Sequence, residues 1–134
     1  MQRYVGTKII IAEPMTLSEW ARHAGKDISA PDAPGYLVEY DDGYQSWSPK
    51  DVFEEAYRRA DALPFGLALE AVKKGRKAAR AGWNSKGMWI ELQRPDEHSK
   101  MTLPYIYMKT AAGDYAPFTP TQCDVLADDW MLVE

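Results

Sequence analysis

The chain is poor in the residues that most often carry chemistry: it has one cysteine, Cys123, and two histidines, His23 and His98. A single thiol excludes an internal disulfide and fits a reducing compartment. Cys123 sits between Gln122 and Asp124 with no histidine near it in sequence, so it reads as a small buried hydrophobe. The two histidines lie far apart, one beside a helix end and one in a polar loop, which is a surface pattern and not a metal or acid–base site. No apolar run approaches the roughly 18 residues of a membrane span. No secretory pattern follows Met1, and a cytoplasmic protein is expected. Positive charge is also short: 16 basic against 20 acidic residues leave a net charge of −4, which disfavours binding to DNA or RNA phosphates.

What is present is an ordinary globular composition, 46% apolar, in a length suited to one domain or two small lobes. The charge is unevenly placed. Lys73, Lys74, Arg76, Lys77, Arg80 and Lys86 form a basic stretch without an intervening acid, whereas Asp124, Asp128, Asp129 and Glu134 make the far end acidic. Such a stretch is a solvated face in most proteins, but it can also meet a small anion.

Patterning predicts a strand over Arg3 to Ala12, ended by Pro14, then a helix opened by the capping box Thr16-Leu-Ser-Glu19 and closed at Gly25. Tyr36 to Tyr40 and Tyr44 to Trp47 form a hairpin around Asp42-Gly43. A helix follows with Ser48 at its N-cap and Pro49 at its first position. After a break at 61–64, a helix from Phe65 to Lys74 turns Phe65, Leu69 and Val72 inward. Strands are expected at 76–80, 88–92, 104–110, 115–118 and 130–133, with a helical turn between 119 and 127. The fold class is α+β, an antiparallel sheet with two or three short helices, divided at 62/63.

The segment from Arg80 to Leu92 concentrates binding chemistry. Glycine admits close backbone approach, Trp83 and Trp89 offer stacking faces, and Asn84 and Lys86 offer polar grip. It lacks the spacing of a phosphate-binding glycine loop. Asp128 and Asp129 are adjacent and would point to opposite faces of a strand, so one is expected solvated and the other capping or hydrogen-bonding. Trp20, Trp47 and Trp130 read as packing residues.

Four blocks carry a resemblance: Phe65 to Gly75, Ala79 to Met88, Pro104 to Thr110 and Thr119 to Trp130. In order and spacing they resemble the second family of Thoeris anti-defence proteins. The chain departs from that pattern at Cys123, where a Gln-Thr-Asp type motif is commoner, and in its long N-terminal segment. Residues 1–62, through Tyr4 to Lys8, Tyr36 to Tyr40 and Ser46 to Phe53, resemble a prophage-encoded module without a nameable activity.

The resemblance implies a sponge, not an enzyme: an oligomer, a homotetramer, whose pockets hold glycocyclic ADP-ribose in the host bacterial cytoplasm, with cyclic dinucleotides at separate positions in some members. It implies no cofactor, no metal and no nucleic-acid or membrane partner. Within it, Trp83, Trp89 or Phe118 would stack on adenine, and Arg80 or Lys86 would meet the pyrophosphate. Asn84, Gln122 and Asp124 would take ribose hydroxyls, with Met88, Tyr105, Lys109 and Thr121 completing the set. Two other readings stay open: an enzyme hydrolysing a cyclic nucleotide through Asp124, Asp128 or Asp129, and a protein-binding inhibitor of a host factor.

Overall fold

The computed structural model describes residues 1–84 and 86–134; Ser85, inside the glycine-rich turn, lies outside the described residues. The chain forms two compact units, Met1–Arg58 and Arg59–Glu134.

The first unit contains β1 (Ile11–Pro14), α1 (Leu17–Ala24), β2 (Gly35–Glu39), β3 (Gln45–Pro49) and α2 (Lys50–Ala56). The strands form an antiparallel sheet in the order β1-β2-β3. The α1 capping box forms: the Thr16 hydroxyl accepts from the Glu19 N–H at 3.2 Å, and the Glu19 carboxylate accepts from the Thr16 N–H at 3.0 Å. Gly25 ends α1 in the left-handed conformation, at φ 67°. The Asp42-Gly43 turn joins β2 to β3. Residues Tyr36, Phe53 and Tyr57 fix α2 on the sheet, with ring centroids 4.1 and 4.9 Å apart.

Two expectations shift here. The strand begins at Ile11 instead of Arg3, because β2 ends at Glu39, opposite Ile11, and bends into its hairpin. Ser48 is not the α2 cap: it pairs with Tyr36 inside β3, so Pro49 takes the cap position without a side-chain bond.

The second unit contains α3 (Phe65–Lys73), β4 (Lys77–Arg80), β5 (Trp89–Gln93), β6 (Tyr105–Lys109), β7 (Tyr115–Pro117), α4 (Gln122–Leu126) and β8 (Trp130–Val133). Its sheet is antiparallel, in the order β7-β6-β5-β4-β8. Bonds from Leu132 N–H to the Ala60 carbonyl, and in both directions between Leu63 and Trp130, tie the segment before α3 to β8. The class is α+β, as expected, but with two sheets and four helices among the described residues. The fourth helix, α4, has five residues and falls where a helical turn is expected between 119 and 127.

Register decides which side chains meet. Ala78 pairs with Ile90 and Leu132, Ile90 with Met108, and Leu92 with Ile106, so these share one face. That face packs on α3, where Ala68, Ala71 and Val72 are buried and Phe65 lies 5.2 Å from the Trp130 ring. Leu69, expected inward, is only half-buried, because small alanines let the helix approach more closely on their side. Leu63, Ala68, Val72, Ala78, Ile90 and Trp130 form the core. The alternate residues, Lys77, Trp89, Glu91, Tyr105, Tyr107, Lys109 and Tyr115, occupy the opposite face.

Ile90 is fully buried, whereas Ile11 is 71% exposed at an edge. Ile90→Ala should therefore cost about 2–5 kcal/mol of unfolding free energy. Ile11→Ala should stay within about 0.5 kcal/mol. Urea denaturation followed by circular dichroism separates the two.

Candidate functional site

The glycine-rich turn leaves β4 at Arg80 and is built around that residue. The Arg80 Nε donates to Asp129 Oδ1 and its Nη1 to Asp124 Oδ1, both at 2.9 Å. The guanidinium is only 16% exposed and the Asp124 side chain 10%. Asp124 does more than pair. Its Oδ1 also accepts from the Trp83 indole N–H at 3.1 Å, and its Oδ2 from the Thr121 N–H at 2.9 Å. Thr121 answers through its hydroxyl, which accepts from the Asp124 N–H, so a capping box starts α4. The Asp124 carbonyl accepts from the buried Trp130 indole at 2.8 Å.

Asp129 holds the turn itself. Its Oδ2 accepts from the Gly82 N–H at 2.7 Å, and its carbonyl from the Ala81 N–H at 3.1 Å. A Cβ on residue 82 would sit 2.7 Å from that carboxylate oxygen, so glycine is required by close approach. Asp128, its neighbour, is exposed, which is the division expected of the pair.

These contacts set the protonation states. Burial pushes the Asp124 carboxyl up, but the Thr121 N–H, Arg80, Trp83 and the Thr121 hydroxyl outweigh it and bring it down to about 2. The Arg80 bond holds Asp129 below the usual carboxylate range against a smaller effect of burial, aided by the Gly82 N–H. Arg80 is raised in turn, by Asp129 first and Asp124 second.

The sequence-derived candidates fall into two groups. Arg80, Trp83, Phe118, Thr121 and Asp124 come together on the α3 side, where the Trp83 ring meets Trp130 at 5.3 Å and Phe118 at 6.2 Å, edge on. Trp83 is thus half-buried, and its indole N–H anchors the turn. Asn84 and Lys86 project from the turn exposed, Met88 is half-buried at its end, and Gln122 is exposed on α4. Trp89, Tyr105 and Lys109 lie on the other face of the sheet, so Trp83 and Trp89 do not converge.

That second face adds Glu91, Tyr107 and Tyr115, which were not singled out in the sequence. Trp89, Tyr107 and Tyr115 form a cluster with centroids 5.3 to 6.2 Å apart, and Lys77 Nζ lies 4.4 Å from the Trp89 ring. The Tyr107 hydroxyl donates to Glu91 and is pushed up to about 12, by burial first and by that bond second. Alternation in Tyr105-Ile-Tyr107 was the available signal.

Cys123 is exposed, which corrects the buried reading: α4 turns Asp124 inward and its neighbour outward. His23 bonds to Gln45 and His98 lies beside Glu97, both exposed. Among the described residues no group of histidine, cysteine, aspartate and glutamate could hold a metal, and no helix is long and apolar enough to cross a membrane.

The unit that carries this pinned turn falls in an anti-defence class: the family model for the Thoeris anti-defense 2-like domain matches residues 63–133. A curated relative, Thoeris anti-defense 2 of Bacillus phage SP01, is 33% identical over 84 residues, covering 53% of this chain and 94% of the relative. The chain belongs to the Thoeris anti-defense 2-like family. The matched residues lie within the second unit and include the whole Arg80 arrangement.

The depressed Asp124 has a stability consequence. Its contribution is complete above the ordinary carboxyl value of 3.8 and is lost as pH falls toward about 2. That contribution is about 2 kcal/mol. Asp124→Asn should therefore be less stable at pH 7 and show a flatter loss between pH ~5 and ~2, measured by urea unfolding across that range.

Proposed function

We propose that the second unit binds and sequesters glycocyclic ADP-ribose, an immune signal, and releases it unaltered, with cyclic dinucleotides as ligands at separate positions. It would act in the cytoplasm of the infected bacterium and starve a downstream effector. The observation that carries this reading is the turn. Its root is clamped by Asp124 and Asp129, while Asn84 and Lys86 stand exposed from it within the family-matched residues. A pre-shaped site holds a ligand without further ordering cost, which favours slow release.

The geometry reassigns some roles. Arg80 faces two carboxylates, so the group as a whole carries a net negative charge and does little to attract a pyrophosphate. That task falls to Lys86 and to backbone N–H groups of the turn. Asp124 already accepts three hydrogen bonds through its carboxylate, which leaves Asn84 and Gln122 as the better partners for ribose hydroxyls. Phe118 and the outer edge of Trp83 offer the adenine contact on this side.

Absence of turnover has its own support. An acid at about 2 is ionised at neutral pH and cannot deliver a proton, and Asp129 is lowered as well. The face with Trp89, Tyr105, Tyr107 and Lys109 supports a homotetramer, since clustered aromatic residues suit a subunit interface. A pocket between subunits would bury more of the ligand than one small unit can.

The test combines three measurements. Glycocyclic ADP-ribose at about 100 times Kd should stabilise the protein by about 2.7 kcal/mol. Heat-denaturing the complex should return intact ligand, and the solution mass should be four times the 15.2 kDa of the chain. Asn84→Ala and Lys86→Ala should each weaken binding by about tenfold, the loss of one hydrogen bond or ion pair to a charged ligand. Altered ligand on recovery would assign hydrolysis instead. No stabilisation by any cyclic nucleotide would favour a protein-binding inhibitor.

A further inference from the structure

The first unit lies outside the family match, which begins at residue 63. Its sheet has an edge at β1, where all four residues are exposed and β2 is the only partner strand among the described residues. The Met15 N–H bonds to the Gly35 carbonyl, which fixes the alternation of the ladder. Ile11 and Glu13 therefore direct their backbone groups to β2, while the Ala12 N–H and the carbonyls of Ala12 and Pro14 point outward.

A groove of about 260 Å³ lies against this edge, lined by Ile11, Ala12, Glu13, Leu37, Glu39 and Gln45. Pairing of Ile11 with Glu39 and of Glu13 with Leu37 places two carboxylates and two apolar side chains on one face. No basic side chain lines the groove, and Glu39 accepts the Gln45 amide at 3.1 Å. The unit has the same sign as a whole. Residues 1–58 carry ten acidic residues against six basic ones, Arg3, Lys8, Arg22, Lys26, Lys50 and Arg58.

We propose that this edge is a docking site for an extended basic segment of a partner protein, added as a strand beside β1. The outward backbone groups at Ala12 and Pro14 supply main-chain bonds, and alternate lysine or arginine side chains enter the groove. Their aliphatic stems lie on Ile11 and Leu37, and their charged heads meet Glu13 and Glu39. A strand places every second side chain on one face, so the recognised pattern is basic residues two apart. Pro14 has no N–H and ends the edge, which keeps the added strand short. This rests on the first unit alone and does not depend on the nucleotide reading.

The probe is a labelled octapeptide alternating lysine and threonine, titrated with the full chain and followed by fluorescence anisotropy. Its controls are an alternating glutamate–threonine peptide and a peptide with its four lysines in one block. The alternating basic peptide should bind best and the acidic one not at all. Glu13→Gln with Glu39→Gln should weaken binding by about tenfold while leaving the fold intact, since Glu13 is exposed and an amide oxygen at the half-buried position 39 can still accept the Gln45 bond. Ala12→Pro should weaken it through loss of the outward N–H, with an unchanged circular dichroism spectrum. Equal affinity for the acidic or blocked peptide would overturn the proposal, as would undiminished binding to the double variant or no binding at millimolar protein. Self-association lost in Ala12→Pro, without peptide binding, would give the edge to a second copy and overturn it too.

Discussion

The second unit depends on a single guanidinium. Arg80 ends β4, and its two bonding edges reach Asp124 on α4 and Asp129 just before β8. These elements are far apart in sequence. The β4–β8 ladder and the buried Trp130 bring them together, and the ion pairs lock the turn and α4 in place, in surroundings dry enough for charge to count. Removing one partner of a buried pair typically costs about 3–5 kcal/mol, because the remaining charge stays unsatisfied. Here the loss of Arg80 would strand one buried carboxylate and one half-buried one. The Gly82 N–H, the Trp83 indole and the cap of α4 all bond to those same carboxylates, so the turn, the ring behind it and the helix would loosen together.

The sheet of this unit divides its aromatic residues between two tasks. On the α3 side, Trp83, Phe118 and Trp130 meet edge to face and close the core. On the other side, Trp89, Tyr107 and Tyr115 form a second cluster over which Lys77 is placed. Asp124 and Asp129 are committed to the architecture, while aromatic residues occupy both faces of the sheet.

Local features were legible in the sequence where their cause is local. The Thr16–Glu19 box, the Asp42-Gly43 hairpin, the Gly25 stop and the strand alternation in 104–110 depend on residues within a few positions of each other. The strand expected before Ile11 failed because β pairing needs a partner, and β2 had already turned away. The Arg80 pairs span 44 and 49 residues, and nothing within either segment announces the other. Trp83 and Trp89 were both expected to offer a stacking face because both flank the same turn. Only the register of β5 against β6 shows that they face opposite ways. Asp129 was correctly expected to hydrogen-bond, yet its hold on Gly82 could not be read without knowing that β8 lies beside β4.

The separation between Arg80 and Asp129 also sets a clock on biosynthesis. A ribosome adding about 5–20 residues per second needs roughly 2 to 10 seconds to make the segment between them. Throughout that interval the turn exists without its clamp, its glycines unconstrained and its arginine unpaired. Strands β5 to β7 can pair locally meanwhile, each with a neighbour in sequence. The glycine-rich turn is therefore among the last parts of the unit to take shape, and a nascent chain lacks its finished form until β8 arrives.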